Sequence, residues 1–375
     1  MTALRQPLGS SLVNAFALPP LDSASFRAGI QLVVDRVNTA ESRNLALISP
    51  DLAPLMDSLV SLMSGGKRLR PAFCYWGWRA VASEPDLIAH HEGVLEAAAG
   101  LEFLQSCALI HDDVMDGSDT RRGLPAAHRV FEGMHAQAQW VGQAPTFGIG
   151  AAILLGDLCL AWADQVFLAS PLPIEALQRA KPIFDLMRTE LMAGQYLDLL
   201  EQARSNTSLE RARTVVRYKS AKYTIERPLH LGAALAGASD TAMQAFSHYG
   251  LALGEAFQLR DDVLGVFGDP QETGKPAGDD IREGKRTVMV SLAYANATPA
   301  EQATMTTLLG KPDLDASDVA TAREILTSTG ALAQTEVLIE QGISSAYDAL
   351  NNAPISEEGC LALADLIEAS TRRAT

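Results

Sequence analysis

Cysteine is scarce in this 375-residue sequence, and its four cysteines are scattered without a Cys-x-x-Cys pair. The scattering excludes a disulfide framework and a thiolate zinc site, and it favours the buried, reduced thiols of a cytosolic protein. The seven histidines form no His-Glu-x-x-His pattern. Neither residue type therefore predicts a zinc centre.

Basic residues are also few: 30 lysines and arginines stand against 45 aspartates and glutamates, which gives a net charge of −15. Nucleic-acid-binding proteins need a basic face to neutralise phosphates, so no nucleic-acid partner is expected. At 47% hydrophobic and 20% charged residues, the composition is typical of a soluble globular protein with a sizeable core.

The hydrophobic runs are too short for a bilayer. The most apolar stretch, FGIGAAILLGDLCLAWA at 147–163, is interrupted by Asp157 and falls short of the roughly 20 residues of a membrane-spanning helix. The N-terminal region lacks the compact apolar segment of a secretory signal. We therefore expect a cytoplasmic protein without stable membrane insertion.

Strand-like alternation is scarce, whereas Ala- and Leu-rich helical sequence begins near residue 25. The stretch 87–113 has no internal proline and is apolar nearly all round, which predicts a core helix. Residues 1–24 are interpreted as a loosely packed extension, and 25–375 as a single all-α domain. Further helices are expected near 146–169, 173–203, 208–221, 223–236, 240–265, 286–295, 299–309, 316–328, 331–352 and 356–372.

A concentration of charge follows the core helix, in LIHDDVMDGSDTRRGLP at 109–125. Asp112 and Asp116 lie one helical turn apart on the same face, and Asp113 points roughly 100° away. Paired carboxylates suit a hard cation, and Mg²⁺ commonly combines one or two carboxylates with water and substrate phosphates. Arg121 and Arg122 would then bind diphosphate oxygens that the metal does not hold.

The second half of the chain repeats this arrangement in FQLRDDVLGVFGDPQETGKPAGDDIREGKRT at 257–287. Asp261 and Asp262 again end an apolar helical stretch. A single acidic motif is most often a solvated helix end with a few ion pairs, but two copies favour two walls of one cavity. Cations again follow the motif, namely Lys275, Arg282, Lys285 and Arg286.

A third basic element is SGGKRLRP at 64–71. Gly65 and Gly66 permit close backbone approach, and Lys67 and Arg70 share a helical face if a helix starts here. Alone, the element would be a helix start with surface cations. Beside the two acidic walls, it indicates a second anion site without its own metal.

Together these elements resemble the trans-isoprenyl diphosphate synthases, or polyprenyl synthetases, over roughly residues 40–375. They are most similar to the bacterial geranylgeranyl diphosphate synthases. GQYLDL at 194–199 and YKSAKYT at 218–224 match the family as well. One position departs from the pattern, because Gly265 stands where many members carry a third aspartate in the second acidic motif.

The resemblance implies the isoprenoid synthase fold, a bundle of long antiparallel helices around a deep central cavity, usually in a homodimer. It also implies a prenyltransferase of isoprenoid biosynthesis. An allylic diphosphate (dimethylallyl, geranyl or farnesyl) ionises, the double bond of isopentenyl diphosphate attacks the cation, and a proton leaves. Fixed positive charges and a dry, apolar pocket suit this chemistry.

The resemblance also assigns roles to single residues. Asp112 and Asp116 are expected to hold two Mg²⁺ ions and Asp261 a third, with Asp113 and Asp262 as partial ligands. The residues expected to contact the allylic diphosphate are Arg121, Lys219 and Lys275, and Lys285 is expected to bind diphosphate oxygens that the metal does not hold. Those expected to bind isopentenyl diphosphate are Lys67, Arg70, Gln105 and Arg122.

Four further polar residues belong to the matching motifs. Ser220 and Gln258 are expected to face the developing cation with their oxygen dipoles. Gln195 and Asp198 either join the same polar layer or make hydrogen bonds between packed helices, and the sequence leaves both interpretations open.

Product length should be set below Asp112, where the growing tail enters the bundle. Cys107 and Ala108 lie about 6–7.5 Å deeper. Both are small, whereas family members that stop at fifteen carbons often carry bulky aromatics there, and Leu104 would form a partial floor. We expect geranylgeranyl diphosphate, then longer products, then farnesyl diphosphate. Alternatively, Cys107 and Ala108 simply pack a helix crossing.

Two other functions share parts of this pattern. A class I terpene cyclase has an acidic motif and Mg²⁺ but needs no isopentenyl diphosphate site, so Lys67, Arg70 and Arg122 argue against it. A non-catalytic subunit of a heteromeric prenyltransferase typically loses one acidic motif. Both motifs are present here, and Gly265 alone keeps that alternative open.

Overall fold

A computed structural model of the protein describes residues 23–204, 207–269 and 278–371. The predicted N-terminal extension falls outside these ranges up to residue 22, and residue 23 already begins the first helix. Within the described residues the chain is helical almost throughout, and the all-α prediction is confirmed.

The helices are named in chain order. They are α1 (Ser23–Ile48), α2 (Ala53–Met63), α3 (Leu69–Arg79), α4 (Glu84–Asp116), α5 (Ala127–Gln137), α6 (Ala144–Ala169), α7 (Ile174–Arg204), α8 (Leu209–Val215), α9 (Arg227–Ala236), α10 (Asp240–Phe267), α11 (Asp279–Arg282), α12 (Val288–Asn296), α13 (Pro299–Leu308), α14 (Ala316–Ser328), α15 (Ala331–Asn351) and α16 (Glu357–Thr371). A 3₁₀ turn at Pro50–Leu52 precedes α2, and a π-helix at Val216–Glu226 joins α8 to α9. Two short strands, β1 (Thr120–Arg121) and β2 (Leu124–Pro125), pair antiparallel.

Helix α4 carries the first acidic motif in its last turn. The side chain of Ser83 caps its start by accepting a hydrogen bond from the backbone of Asp86. Its end is set by Gly117, which has a left-handed φ of 66°, while the N–H of Ser118 donates to the carbonyl of Asp113 at 3.0 Å. Glycine reverses a helix end at little steric cost, so the carboxylates stop at the rim of the bundle.

The hairpin after α4 returns two arginines toward this rim. Arg121 pairs with Leu124 across the ribbon. The two turn residues between them, Arg122 and Gly123, both have positive φ, at 54° and 75°. This is the backbone of a tight two-residue hairpin turn, and only the glycine adopts it without strain.

The π-helix is a correction to the two α-helices expected near 208–221 and 223–236. It packs between α7 and α10. A Cβ added at Gly194 of α7 would lie 2.4 Å from the backbone nitrogen of Lys219, and one at Gly254 of α10 would lie 2.6 Å from the Cα of Ala221. Glycine on both sides therefore lets the backbone of the π-helix approach its neighbours directly. Such segments are rare and frequently occur at functional sites.

The described helices enclose two hydrophobic clusters. The larger spans α1 to α7, the π-helix, α9 and α10, together with α15 and α16, and α4 packs within it on α3 and α6. The smaller joins α8 and α10 to the helices α11 to α15. By length and apolar composition alone, α4 and α6 could each cross a membrane, and their most apolar windows are 83% and 39% buried.

Candidate active site

A cavity of about 890 Å³ opens where the two hydrophobic clusters meet. Both acidic motifs reach it, since Asp112 at the end of α4 and Asp261 near the end of α10 line the same space. The residues predicted from the sequence that line this cavity are Lys67, Arg70, Gln105, Ala108, Asp112, Arg121, Arg122, Gln195, Asp198, Lys219, Ser220, Gln258, Asp261, Asp262, Lys285 and Arg286. The predicted Lys275 lies outside the described residues.

Asp112 is the centre of a polar network on the first wall. Its Oδ1 accepts hydrogen bonds from Gln195 Nε2 at 2.9 Å and from Lys219 Nζ at 3.1 Å. Burial favours the neutral acid, but the charges of Lys219 and Lys285 hold the pKa of Asp112 below its ordinary value. Asp112 is therefore an anion at neutral pH.

Gln195 and Asp198 both line the cavity. Gln195 binds Asp112 directly, and Asp198 accepts a hydrogen bond from Lys219 Nζ at 2.6 Å. Burial opposes the charge of Lys219, yet Asp112 and Asp198 raise its pKa above the ordinary value. Gln195 and Asp198 thus belong to the polar layer of the cavity, one of the two interpretations that the sequence left open, and Asp198 holds Lys219 beside Asp112.

Asp113 faces away from the cavity, as the helical geometry predicts. It is buried, and its Oδ1 accepts a hydrogen bond from Arg121 Nε at 2.9 Å and a shorter one from the same guanidinium. Burial opposes the charge of Arg121, but Asp113 raises the arginine's pKa above its ordinary value. The contact anchors Arg121 beside Asp112, so the role of Asp113 in this structure is to position the arginine.

Asp116 is a buried carboxylate short of partners. Its side chain is 1% exposed, and neither oxygen accepts a hydrogen bond from the described residues, although Lys285 Nζ lies 3.3 Å from Oδ2. Burial, then the nearby charge of Asp112, raises the pKa of Asp116 to about 6. A buried carboxylate pair of this kind suits a cation, because added positive charge relieves both burial and repulsion.

The second wall is built on α10. Asp262 is buried and accepts a hydrogen bond from Gln258 Nε2 at 2.8 Å. Burial, then the charge of Asp280, raises the pKa of Asp262 to about 8. The amide nitrogen of Gln258 therefore donates to Asp262. Its amide oxygen is the atom that suits a cationic substrate.

The donor set of the two walls fits Mg²⁺. Among residues 23–204, 207–269 and 278–371, no three His, Cys, Asp or Glu side chains converge as a preformed metal site. Mg²⁺ is commonly held by one or two carboxylates together with substrate phosphates. Asp112, Asp116 and Asp261 supply hard oxygen donors of that type, and the unsatisfied oxygens of Asp116 are the observation that supports the fit.

The basic element at 64–71 forms another side of the cavity. Arg70 donates to the hydroxyl of Thr224 at 2.7 Å and lies 4.3 Å from the ring centroid of Tyr223. The Tyr223 hydroxyl donates to the side-chain oxygen of Gln105 at 2.7 Å. The Gln105 NH₂ group is therefore the end that can donate to a ligand. Sequence reasoning did not single out Tyr223, although it lies within the matching stretch 218–224.

Arg122 joins the same side through the hairpin turn. Its guanidinium donates to the carbonyl of Leu62 at 3.0 Å and lies beside Gly66, where a Cβ would come within 3.6 Å. The neighbouring Arg68 is instead buried in an ion pair with Glu102. Lys67, Arg68, Arg70 and Arg122 all line the cavity, but the charge of Arg68 is already paired with Glu102.

The three residues predicted to control product length do not all face the cavity. Ala108 lines the cavity. Cys107 and Leu104 are fully buried and are not among the described lining residues. The Cys107 Sγ lies 3.7 Å from Nδ1 of His111, whose Nε2 lies 3.1 Å from the carbonyl of Ile153 on α6. Cys107 therefore faces the packing with α6, where burial raises the pKa of its thiol to about 12.

Comparison with known proteins identifies the family of this chain. A family profile described as polyprenyl synthetase matches residues 52–326. The geranylgeranyl diphosphate synthase of Saccharolobus solfataricus is 31% identical over 294 residues, which cover 77% of this chain and 81% of that protein. The nonaprenyl diphosphate synthase of Mycobacterium tuberculosis is 30% identical over 354 residues, which cover 94% of this chain and 96% of that protein.

Solved structures extend the similarity to the fold. The crystal structure of a geranylgeranyl pyrophosphate synthase from Corynebacterium glutamicum, complexed with isoprenyl diphosphate and magnesium, is 42% identical. It superposes with a TM-score of 0.91 over 94% of this chain and 100% of that one. The predicted isoprenoid synthase fold is confirmed, and the chain belongs to the polyprenyl synthetase family of metal-dependent prenyltransferases.

Proposed function

We propose that the protein condenses isopentenyl diphosphate with an allylic diphosphate, head to tail, and that its main product is geranylgeranyl diphosphate. The observation that carries this proposal is the shared cavity, in which the acidic residues Asp112 and Asp261 face the cationic residues Lys67, Arg70 and Arg122. The allylic substrate needs metal and loses its diphosphate, whereas isopentenyl diphosphate keeps its diphosphate. A site with a metal-binding side and a purely basic side fits that difference.

The allylic diphosphate would bind between the two acidic walls. Asp112, Asp116 and Asp261 would hold three Mg²⁺ ions, with Asp113 and Asp262 in support. When bound, the metal supplies positive charge that offsets the leaving diphosphate. Lys219, which reaches Asp112 at 3.1 Å, and Arg121 add fixed charge from the protein. Preorganised charges of this kind stabilise a transition state without reorganisation.

Isopentenyl diphosphate would bind Lys67, Arg70 and Arg122, with Gln105 as a neutral donor. The developing cation would face Ser220 and the amide oxygen of Gln258. Apolar side chains exclude water around the reacting carbons, which keeps the cation from being trapped. Those that line the cavity here are Ala108, Leu109, Leu191, Val216 and Phe257.

A twenty-carbon product follows from the space below Asp112. Ala108 leaves the cavity open one turn down, and Leu104, one turn deeper, is closed into the core. Relatives of this chain include geranylgeranyl and geranylfarnesyl diphosphate synthases, at 31% identity for both. We therefore take Ala108 as the residue that sets length directly and Leu104 as the floor.

The protein is proposed to act in the cytoplasm as a homodimer of a single-domain chain, with α6 at the interface. This helix exposes apolar side chains along one face, namely Phe147, Ile149, Ile153, Leu154 and Leu168. The side chain of Asp157 is 61% exposed on the same helix, which a protein surface tolerates and a bilayer penalises. A second copy is therefore a better occupant of this face than a membrane.

The test of the activity uses the purified full-length chain alone. With Mg²⁺, isopentenyl diphosphate and each allylic primer in turn, it should elongate the primer, and chromatography of the dephosphorylated products should show mainly the twenty-carbon alcohol. Excess chelator should stop the reaction. Absence of elongation would point to a non-catalytic subunit, and cyclic hydrocarbon would point to a cyclase.

Substitution of Asp112 tests the site itself. Asp112→Asn should lower kcat by orders of magnitude while the protein stays folded, because it removes a metal-binding charge, and the lost ion pairs are partly offset by relief of carboxylate repulsion. The matched control is Asp119→Asn, which removes an exposed carboxylate paired with Arg129 and should leave kcat unchanged. Near-normal turnover of Asp112→Asn would refute the assignment.

A further inference from the structure

A cluster of charged side chains packs against the π-helix away from the cavity. Its members are Glu190 on α7, Lys222 and Glu226 in the π-helix, and Arg227 at the start of α9. Each side chain is 13% exposed or less. None of the four is among the described residues that line the cavity, whereas Lys219 of the same π-helix does line it. The cluster and the active site therefore contact different sides of one short segment.

Glu190 binds both ends of the last π-helical turn. Its Oε1 accepts a hydrogen bond from Lys222 Nζ at 3.0 Å. Its Oε2 accepts from Arg227 Nε at 2.6 Å, and its Oε1 accepts from Arg227 Nη2 at 2.8 Å. A bidentate arginine–carboxylate contact of this kind is both strong and directional. Burial opposes the charge of Glu190, but the hydrogen bonds from Arg227 and Lys222 hold its pKa below the ordinary value.

The backbone of that turn joins the same two residues. The N–H of Arg227 donates to the carbonyl of Lys222, five residues earlier, which is the hydrogen bond that defines a π-helix. In an α-helix, at 3.6 residues per turn, residues five apart point about 140° away from each other. Lys222 and Arg227 thus meet one carboxylate on α7 because the turn between them is wide.

Arg227 is also held from α10. Its Nη1 lies 3.2 Å from Nδ1 of His230, and Nε2 of His230 lies 3.1 Å from the carbonyl of Met243. Because a carbonyl can only accept, Nε2 carries the proton and Nδ1 accepts from Arg227. Burial lowers the pKa of His230, which keeps the ring neutral as this arrangement requires. The guanidinium is therefore fixed between α7 and α10.

The helix that supplies Glu190 also contacts the active-site lysine. Gly194 lies one turn after Glu190 on the same face of α7, and a Cβ there would lie 2.4 Å from the backbone nitrogen of Lys219. Lys219 Nζ in turn reaches Asp112 at 3.1 Å and Asp198 at 2.6 Å. One face of α7 thus meets the π-helix both at its last turn and at the residue that carries the amine.

We propose that Glu190 is a positioning residue, whose carboxylate clamps the π-helical turn between Lys222 and Arg227 and thereby sets where Lys219 stands in the cavity. π-Helical turns are rare, and this one is held at both of its ends by charged contacts to α7. Without the carboxylate, the turn would tighten toward α-helical geometry and draw Lys219 away from Asp112. The inference rests on the proposed function, because it assigns a residue outside the cavity to the same site.

Glu190→Gln tests the clamp, because it keeps the shape of the side chain and removes the charge that both cations bind. It should lower kcat for elongation by about 10- to 100-fold, since a displacement of about 1 Å can cost about 100-fold in rate. Isothermal titration of inorganic diphosphate with Mg²⁺ into the full-length protein should show about tenfold weaker binding, the effect of losing one charge-assisted hydrogen bond. The matched control is Glu358→Gln, which removes the partner of Arg79 between α3 and α16 and should leave both values unchanged.

A double-mutant cycle tests whether Glu190 acts through Lys219. Lys219→Met removes the amine that the clamp is proposed to position. In that background, Glu190→Gln should lower kcat by less than about threefold, because coupled residues give non-additive effects. A general loss of packing would instead multiply the two single effects.

Glu190→Leu/Arg227→Met separates position from stability. Removing both partners leaves no buried charge unpaired between them, so the melting temperature should lie above that of Glu190→Gln. Apolar side chains do not hold the wide turn, so kcat should stay low. The double variant also supplies the comparison with the wild type if Glu190→Gln does not fold.

The outcomes distinguish the inference from the function on which it rests. A wild type that neither elongates primers nor binds diphosphate with Mg²⁺ would overturn the proposed function. An active wild type whose Glu190→Gln variant keeps its kcat and its affinity for diphosphate would overturn the inference alone. Multiplicative effects of Glu190→Gln and Lys219→Met, or recovery of kcat together with melting temperature in Glu190→Leu/Arg227→Met, would do the same.

Discussion

Gly194→Ala is the substitution that most directly tests how the fold positions the site. The added Cβ would lie 2.4 Å from the backbone nitrogen of Lys219 and 2.7 Å from its Cα, whereas an ordinary contact begins at 3.4 Å. The atoms in the way belong to the backbone, so relief requires the π-helix to move by about 1 Å. Lys219 Nζ, which reaches both Asp112 and Asp198, would move with it.

Two effects on stability oppose each other. Alanine is better than glycine in a helix by roughly 1 kcal/mol, and overpacking costs about 1–3 kcal/mol. The free energy of unfolding should therefore fall by no more than about 2 kcal/mol, which leaves the protein folded. Activity should fall more, because a displacement of about 1 Å from productive geometry can cost about 100-fold in rate.

Steady-state kinetics and thermal unfolding measure the two effects separately. Gly194→Ala should lower kcat by about two orders of magnitude with a small change in melting temperature. Gly133→Ala on α5 is the matched control, since a Cβ there meets nothing within 4 Å, and it should keep full activity. If Gly194→Ala retained half of the wild-type kcat, the close approach of the π-helix would not position Lys219 as described.

Three further predictions follow from buried groups. Ala108→Phe should shorten the main product. Cys107 faces α6, so Cys107→Leu should lower the melting temperature and leave product length unchanged. Product chromatography that showed a shorter product only for Cys107→Leu would contradict this assignment. Arg68→Met should cost about 3–5 kcal/mol by leaving Glu102 buried and unpaired, and Arg68→Met/Glu102→Leu should recover most of it in urea unfolding; a cost below about 1 kcal/mol would refute the role of the pair. Burial lowers the pKa of His91 from 6.5 to about 4, so its contribution to stability is present above pH 6.5 and is lost as the pH falls toward 4. After allowance for partial exposure the loss is about 1–2 kcal/mol, and His91→Gln should remove it; an identical acid dependence in the variant would contradict this.

The helices were largely predictable from the sequence because their signals are local. The core helix expected over 87–113 is α4, and the helix expected over 316–328 has those bounds in the structure. The structure extends the first of these to Glu84–Asp116, with Ser83 as its cap, and Asp315 caps the second. The two acidic motifs were predicted to share a cavity, and they do.

The features that the sequence did not reveal depend on packing between distant segments. A π-helix has the same composition as an α-helix, so nothing within 216–226 distinguishes it; the glycines that admit it lie on α7 and α10. The orientation of Cys107 toward α6 depends on which neighbour each side of α4 meets. Asp280 likewise lies against Gly265 across 15 positions of sequence, a contact that no local pattern reveals.

The hairpin after α4 sets the separation of the two substrates under the proposed function. Arg121 reaches the side of the cavity at Asp112, whereas Arg122 reaches the side at Leu62 and Gly66. Their Cα atoms are joined by one peptide unit and are therefore about 3.8 Å apart. The two proposed diphosphate sites are in this way linked through adjacent residues, and an inserted residue in the turn would shift Arg122 relative to Arg121.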